Sequence, residues 1–387
     1  MRLLFLTKQQ YMGKDLLRDR FGRFYEFPRM LAGQGHHVRG ICLKYWNDEL
    51  DSRVAGQCLD RVEWQSFQLG WNWPAAFLRY FRRLKEIATD FKPEIIIGAS
   101  DAMHVIIAAS LSARTGVPLV VDLYDNFESY RATQLPGIKT GLKRGILSAS
   151  AISTVSYNLA EKVKNEYQAS GIVRTITNAV CPEIFHPTDK TLARRTLRLP
   201  ESGLLIGTAG ALRANRGIKT LFQAFEKLSS MRSNLYLILA GRVERGLHIP
   251  ISDKILYLGE LPHSDVGHLF NALDVGVVCN RQSQFAEYGF PQKFYEMIAC
   301  RLPVVAADVG VMQTLLVGYE NCLYKPERED SLAETLEKQL NRPSVIDILV
   351  PKWKDRGGDF HQLLEAALKR SHRIKFSGSS NSLVINS

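Results

Sequence analysis

Residues 288–310 read YGFPQKFYEMIACRLPVVAADVG. A Gly-Phe-Pro turn at 289–291 leads into a helical stretch that carries Lys293 and, one turn on, Glu296. The apolar run PVVAA at 303–307 then has the make-up of a short buried strand. An acid in the first turns of a helix would ordinarily complement the macrodipole. Here the N–H groups of the turn, the ammonium of Lys293 and the carboxylate of Glu296 converge on one spot. N–H groups and a lysine hold phosphate or sugar oxygens, and a carboxylate holds a diol.

Outward from this stretch, strand-length apolar runs alternate with helix-length segments, the pattern of a parallel sheet with crossover helices. LLFLT, HVRGICL, KPEIIIGAS, GVPLVVDLYD and ASAISTVS fall in the first half, with Gly35 a helix stop before HVRGICL. The irregular segment RTITNAVCPEIFHP, with Pro182 and Pro187, closes that half; Asn178 and Glu183 belong to it as linker residues. The alternation restarts at LLIGTAG (204–210) and continues through NLYLILAG, KILYLGE, DVGVVCN and LPVVAAD. The expected fold is α/β, two Rossmann-like domains with a cleft between them, where open sheets of this kind place ligands. The expected domains are 1–187 and 188–345.

The 387 residues are too many for one ordinary domain, and a 45% hydrophobic content supports substantial cores. No 18-residue uncharged apolar run is present, and the apolar start MRLLFLTKQQ is too short for a signal-peptide core. Six cysteines without C-x-x-C spacing indicate free thiols in a reduced, cytoplasmic compartment. The net charge of +11 divides almost evenly, +6 on residues 1–187 and +5 on the rest. That distribution argues against a nucleic-acid face. One segment concentrates charge: WNWPAAFLRYFRRLK (71–85) mixes Trp71, Trp73, Phe77, Tyr80 and Phe81 with Arg79, Arg82, Arg83 and Lys85. It could lie on an anionic membrane surface, on the inner face of the plasma membrane. The alternative is an amphipathic helix packing its aromatics on the sheet. No His pair has metal-ligand spacing, so no metal site is expected.

The 288–310 stretch resembles the signature of retaining nucleotide-sugar glycosyltransferases of family 4, usually EGFGLPLLEAMACGTPVVA, in which two Glu lie eight residues apart. The resemblance spans about residues 1–370, through QGHHVRG, NAVCPEIFHP, GALRANRGIKTLFQAF and LGELPHSDVGHLFNALDVGVV in the family's order. It implies that Glu296 holds the nucleotide ribose and that Gly289 and Phe290 match the family Gly-Phe. Pro291, Lys293 and Glu296 make the P-x-K-x-x-E form of one branch. The first family Glu, which reads sugar hydroxyls, falls on Tyr288, with Glu287 one residue away. Arg301 stands where many members carry Gly. The resemblance further implies a helix within 346–370 crossing back to the first domain, ahead of a polar tail, 371–387, expected to be unstructured.

Transfer of a sugar from a nucleotide diphosphate requires positive potential on the departing diphosphate. The loop GALRANRGIK (210–219) follows the first strand of the second half and can supply it. The family pattern GRLxxxKG places Arg216 at the Lys position and Ala211 at the Arg position, with Arg213 as a substitute and Lys219 as a further candidate. Gly13, after the first strand, would let backbone N–H groups approach a phosphate or sugar. In VVDLYDNFES (120–129), Asp122, Asp125 and Glu128 are expected at the cleft rim. Asp122-Leu123-Tyr124-Asp125 matches the family DxHE with Tyr for His and Asp for Glu, and either Asp could orient or deprotonate an acceptor hydroxyl. Arg20, Arg23 and Glu26 are acceptor-contact candidates at the same mouth.

The expected function is a retaining glycosyltransferase (a transferase of the hexosyltransferase kind) acting in cell-surface polysaccharide biosynthesis. It would use UDP-, GDP- or ADP-sugar as donor, a glycan or lipid-linked acceptor, and no permanently bound cofactor. The alternatives are a nucleotide-sugar epimerase of the same fold and a non-catalytic subunit. A nicotinamide or flavin enzyme would need G-x-G-x-x-G, which GTAGALRANRG does not supply.

Overall fold

The computed structural model describes residues 1–11, 14–45, 57–70 and 73–380. The chain forms two compact units, the first from Met1–Thr177 together with Trp353–Ser387, the second from Asn178–Lys352. The division falls at Thr177, ahead of the expected 187. Both connecting segments leave the second unit side by side, because Val180 bridges Lys352 and its N–H donates to Pro351 O at 3.0 Å.

In unit 1 the elements run β1 (Arg2–Lys8), α1 (Arg23–Gly33), β2 (His37–Lys44), β3 (Gln57–Leu59), β4 (Val62–Gln68), α2 (Trp73–Phe91), β5 (Ile95–Ala99), α3 (Ala102–Thr115), β6 (Leu119–Leu123), α4 (Ile138–Ser148), β7 (Ala151–Thr154), α5 (Tyr157–Asn165) and β8 (Ile172–Thr175). The sheet order is β8-β7-β6-β5-β1-β2-β4-β3, parallel except for the β3–β4 pair. Leu3, Leu4, Leu6, Ile95, Ile96 and Ile97 are all fully buried, as strands covered on both faces by helices must be. Order reverses at β1: the chain builds outward through β2 and β4, then returns to place β5 on the other side of β1. The crevice at such a reversal opens at the carboxyl ends of β1 and β5.

In α2, Tyr80, Leu84 and Ile87 are buried, with Tyr80 5.5 Å from Phe67 of β4, whereas Leu78 is 71% exposed and Arg79, Arg82, Arg83 and Lys85 face solvent. Trp71 lies outside the described residues. Helix α13 (Trp353–Ser380) packs on α1: Phe27 stacks on Phe360 at 4.6 Å, and a Cβ on Gly357 would sit 2.6 Å from Met30 Cβ. It continues through Ser380, ten residues into the segment expected to be unstructured. A long helix extends at the cost of one residue per new hydrogen bond, so polar composition alone does not end it.

Unit 2 contains α6 (Lys190–Thr196), β9 (Leu204–Ala209), α7 (Ile218–Met231), β10 (Leu235–Ala240), β11 (Ile255–Tyr257), α8 (His263–Ala272), β12 (Val275–Val278), α9 (Gln284–Tyr288), α10 (Gln292–Ala299), β13 (Val304–Ala307), α11 (Val311–Leu315), β14 (Leu323–Tyr324) and α12 (Glu329–Asn341). Its sheet is parallel throughout, in the order β11-β10-β9-β12-β13-β14. Here the reversal lies between β9 and β12.

Candidate functional site

The carboxyl ends of β9 and β12 are where unit 2 assembles its polar groups. Strand β9 ends at Thr208 and Ala209 and passes into Gly210, at φ +105. Gly241, at φ +118, lies so close that a Cβ on it would meet Gly210 O at 2.0 Å; only glycine allows the two loops to cross there. A short turn, Ala214–Arg216, ends in Gly217 at φ +77 and opens α7. That turn holds the Arg216 guanidinium 4.0 Å above the ring of Phe285 in α9. Helix α9 was not evident from the sequence; Ser283 caps it by accepting from Ala286 N–H.

Gly289, Phe290 and Pro291 make the turn from α9 into α10, as the sequence suggests. Lys293, in the first turn of α10, donates from Nζ to Thr208 Oγ1 at 3.2 Å, and its Nζ lies 3.6 Å from the point a Cβ on Gly210 would occupy. Burial pushes the Lys293 ammonium below the ordinary lysine range; the Cys279 thiol and Glu296 oppose this, and the Arg216 cation adds to it. Two cations, Arg216 and Lys293, therefore feel one another at the sheet reversal, an arrangement that favours an anion between them.

Glu296, only 7% exposed, is held at one oxygen: Gln292 Nε2 donates to Oε1 at 2.9 Å, and His263 Nε2 lies 3.7 Å from the same atom. Among the described residues Oε2 has no hydrogen-bond partner. Gln292, His263 and Thr208 were not identified from sequence. The i, i+4 spacing of Gln292 and Glu296 was available as a signal; the other two arrive from distant elements. Glu287 lies on α9, its backbone against Gly310, where a Cβ would stand 2.9 Å from Glu287 O. Arg213 and Lys219 are both exposed. Arg301 adopts φ +57, the left-handed conformation for which the Gly of many family members is suited.

In unit 1 the expected residues separate. Asp122 is not at a rim: it is 1% exposed and takes a bidentate pair from Arg23, Nε to Oδ2 at 3.0 Å and Nη2 to Oδ1 at 2.8 Å. The Ser153 hydroxyl also donates to Oδ1, and Arg23 Nη1 donates to Ile176 O at 3.0 Å. Charges buried this deeply persist only when paired, so Arg23 and Asp122 serve each other. Glu26 pairs with Arg29 at 2.7 Å, and Arg20 is exposed. Glu128 lies between Lys162 at 3.3 Å and Lys139 at 3.7 Å. Asp125 accepts from Tyr130 Oη at 2.9 Å, and Tyr130 Oη also meets Tyr124 Oη at 2.7 Å. Gly13 lies outside the described residues.

Two family models match this chain: residues 189–355 fit glycosyl transferases group 1, and residues 23–178 fit the glycosyl transferase 4-like domain. The chain belongs to the group 1 glycosyltransferases. It is 27% identical over 216 residues to a D-inositol 3-phosphate glycosyltransferase of Stackebrandtia nassauensis, covering 51% of this chain and 48% of that protein. To the putative teichuronic acid biosynthesis glycosyltransferase TuaC of Bacillus subtilis it is 26% identical, covering 62% and 61%. The aligned region thus spans about half to three-fifths of these relatives. Among solved structures, Anabaena Alr3699/HepE in complex with UDP superposes with a TM-score of 0.65 at 17% identity, covering 98% of this chain and 100% of that one. The fold is the two-domain α/β arrangement of GT-B glycosyltransferases.

Proposed function

We propose that this protein is a retaining glycosyltransferase that binds a nucleotide-diphosphate sugar at the reversal of the unit 2 sheet. The observation that carries the reading is the convergence of Arg216, Lys293 and Glu296 at the carboxyl ends of β9 and β12. In this reading Glu296 accepts a ribose hydroxyl at Oε2, while Arg216 and Lys293 hold the diphosphate. Glu287 and the backbone at Gly289 and Phe290 face the donor sugar. The bond from the anomeric carbon to the phosphate oxygen breaks with its electron pair leaving on phosphate. The acceptor oxygen bonds to the same carbon and its proton passes to that phosphate. The two cations stabilise the charge that develops on the leaving group, and electrostatic stabilisation of this kind usually supplies most of the rate enhancement.

UDP is favoured as the donor nucleotide by the likeness to Alr3699/HepE, which was solved with UDP. A polysaccharide acceptor is favoured by the likeness to TuaC. No helix among the described residues is long and apolar enough to cross a membrane; the exposed arginines and Leu78 of α2 support docking of that helix on an anionic lipid surface. A thermal-shift screen with UDP, GDP and ADP tests the reading. One of them should raise Tm at millimolar concentration, and no shift with any of the three would reject it. Mass spectrometry of products separates transfer from epimerisation.

A further inference from the structure

Strands β9 and β10 pair in parallel with a constant offset, from Leu204 beside Leu235 to Ala209 beside Ala240. The same register continues past both strand ends without a slip. Gly210 N–H donates to Ala240 O at 3.0 Å, Leu212 N–H to Arg242 O at 2.9 Å, and Glu244 N–H to Leu212 O at 2.9 Å. These bonds bridge Leu212 to Val243. Gly210 and Gly241 therefore lie side by side, as do Ala211 and Arg242, and Arg213 and Glu244. The loop after β10 is fixed at its start. Gly241 N–H donates to Gly259 O at 2.6 Å, and its carbonyl accepts from Tyr257 Oη at 2.9 Å.

The two cores tell to which face each pair projects. Ala209 and Ala240 belong to the core beneath α8 and α10, with Leu269, Phe270, Phe294 and Tyr295. Leu212 and Val243 pack in the opposite core, beneath α7. Neighbours across a parallel ladder share a face and successive residues alternate, so Ala211 and Arg242 emerge on the α8 and α10 face. That face carries Glu296 on α10 and His263 at the start of α8. The stretch also begins at Gly210, the residue that Lys293 Nζ approaches. Ala211, at the Arg position of the family pattern, offers only a methyl group there. Arg213 stands beside Glu244, whose carboxylate accepts from Ala214 N–H at 3.0 Å. Arg242 is exposed and stands beside an alanine.

We propose that Arg242 binds the donor diphosphate, supplying from β10 the cation that position 211 lacks. The proposal rests on reading unit 2 as the donor site. Neighbouring strands lie about 4.8 Å apart, within the reach of one arginine side chain, so the guanidinium covers the ground an arginine at 211 would cover. Its planar fork takes two oxygens of one phosphate at once. Breaking the bond to the anomeric carbon leaves the diphosphate with one more negative charge than the intact donor carries. A third cation beside Arg216 and Lys293 therefore stabilises the departing group more than the bound substrate. Arg213, matched across the ladder by Glu244, is left outside this set.

The test uses the full chain and calorimetric titration with UDP, GDP and ADP, each beside its monophosphate. For the diphosphate that binds, Arg242→Ala should raise the dissociation constant about tenfold, and that of the monophosphate less than about threefold. Arg242→Lys, which cannot take two oxygens in a fork, should fall between wild type and Arg242→Ala. Adding Ala211→Arg to Arg242→Ala should recover most of the loss, whereas Arg213→Ala should change affinity less than about twofold. Because Arg242 is exposed, Tm should hold in every Arg242 variant. An undiminished diphosphate affinity in a folded Arg242→Ala protein, or equal losses for diphosphate and monophosphate, would overturn the proposal alone. Failure of all three diphosphates to bind the unaltered protein would overturn the donor reading and the proposal with it.

Discussion

The side-chain amide of Gln292 donates to Glu296 Oε1 at 2.9 Å, and this bond decides which carboxylate oxygen is left for a ligand. The carbonyl end of the same amide is buried without a partner, which costs about 1–3 kcal/mol. Gln292→Leu removes that orphan together with the bond. It also strips Glu296 Oε1 of its donor, so Tm should stay level or fall, while the dissociation constant of the nucleotide rises about tenfold, roughly 1.4 kcal/mol. Calorimetric titration beside thermal unfolding checks both; an unchanged affinity would show that Glu296 needs no such support.

Glu296→Ala removes charge-assisted hydrogen bonds worth roughly 2–4 kcal/mol. Donor kcat/KM should fall on the order of 30- to 1000-fold. Steady-state kinetics with less than a threefold loss would reject the ribose role.

The Arg23–Asp122 pair should behave as structure. Asp122→Asn or Arg23→Met leaves one buried charge uncompensated and should cost about 3–5 kcal/mol in urea unfolding, whereas the double replacement should recover much of it. If Asp122→Asn kept full stability and lost turnover, Asp122 would be the acceptor acid after all.

Asp101 gives a pH-dependent prediction. Burial raises its carboxyl, but His104, by charge and by hydrogen bonds, and Lys8 outweigh this and hold it at about 2. A pKa depressed in the folded state contributes stability above the unfolded value, near 4, and that stability is lost as pH falls from about 4 to 2. Asn also caps helices, so Asp101→Asn keeps the bond from His104 N–H to the cap. The variant should be about 2 kcal/mol less stable than wild type at pH 7, and the gap should narrow at pH 3. An equal gap at both pH values would show that the charge is not the source.

Docking through α2 predicts co-sedimentation with anionic vesicles that weakens as salt rises, each exposed Arg or Lys contributing about 1 kcal/mol. Arg82→Glu/Arg83→Glu should abolish it. Equal recovery with neutral and anionic vesicles would count against docking.

The sequence by itself determined the duplicated α/β plan, because alternating apolar runs and helix-length segments allow few other sheets. It also determined the P-x-K-x-x-E unit of 291–296, whose members sit on one turn and one helix and so keep their relation wherever that helix packs. Arg216 was legible for a similar reason, lying in the loop directly after a central strand. The tertiary structure decided the rest. Asp122 and Arg23 are 99 positions apart, and nothing local reveals that their charges cancel in the core. Lys8, Asp101 and Asp125 carry no shared motif; the strand order that sets β5 beside β1 brings them together. His263 meets Glu296 only because α8 packs near α10. Sequence spacing fixes geometry within an element, whereas contacts between elements depend on sheet order and packing.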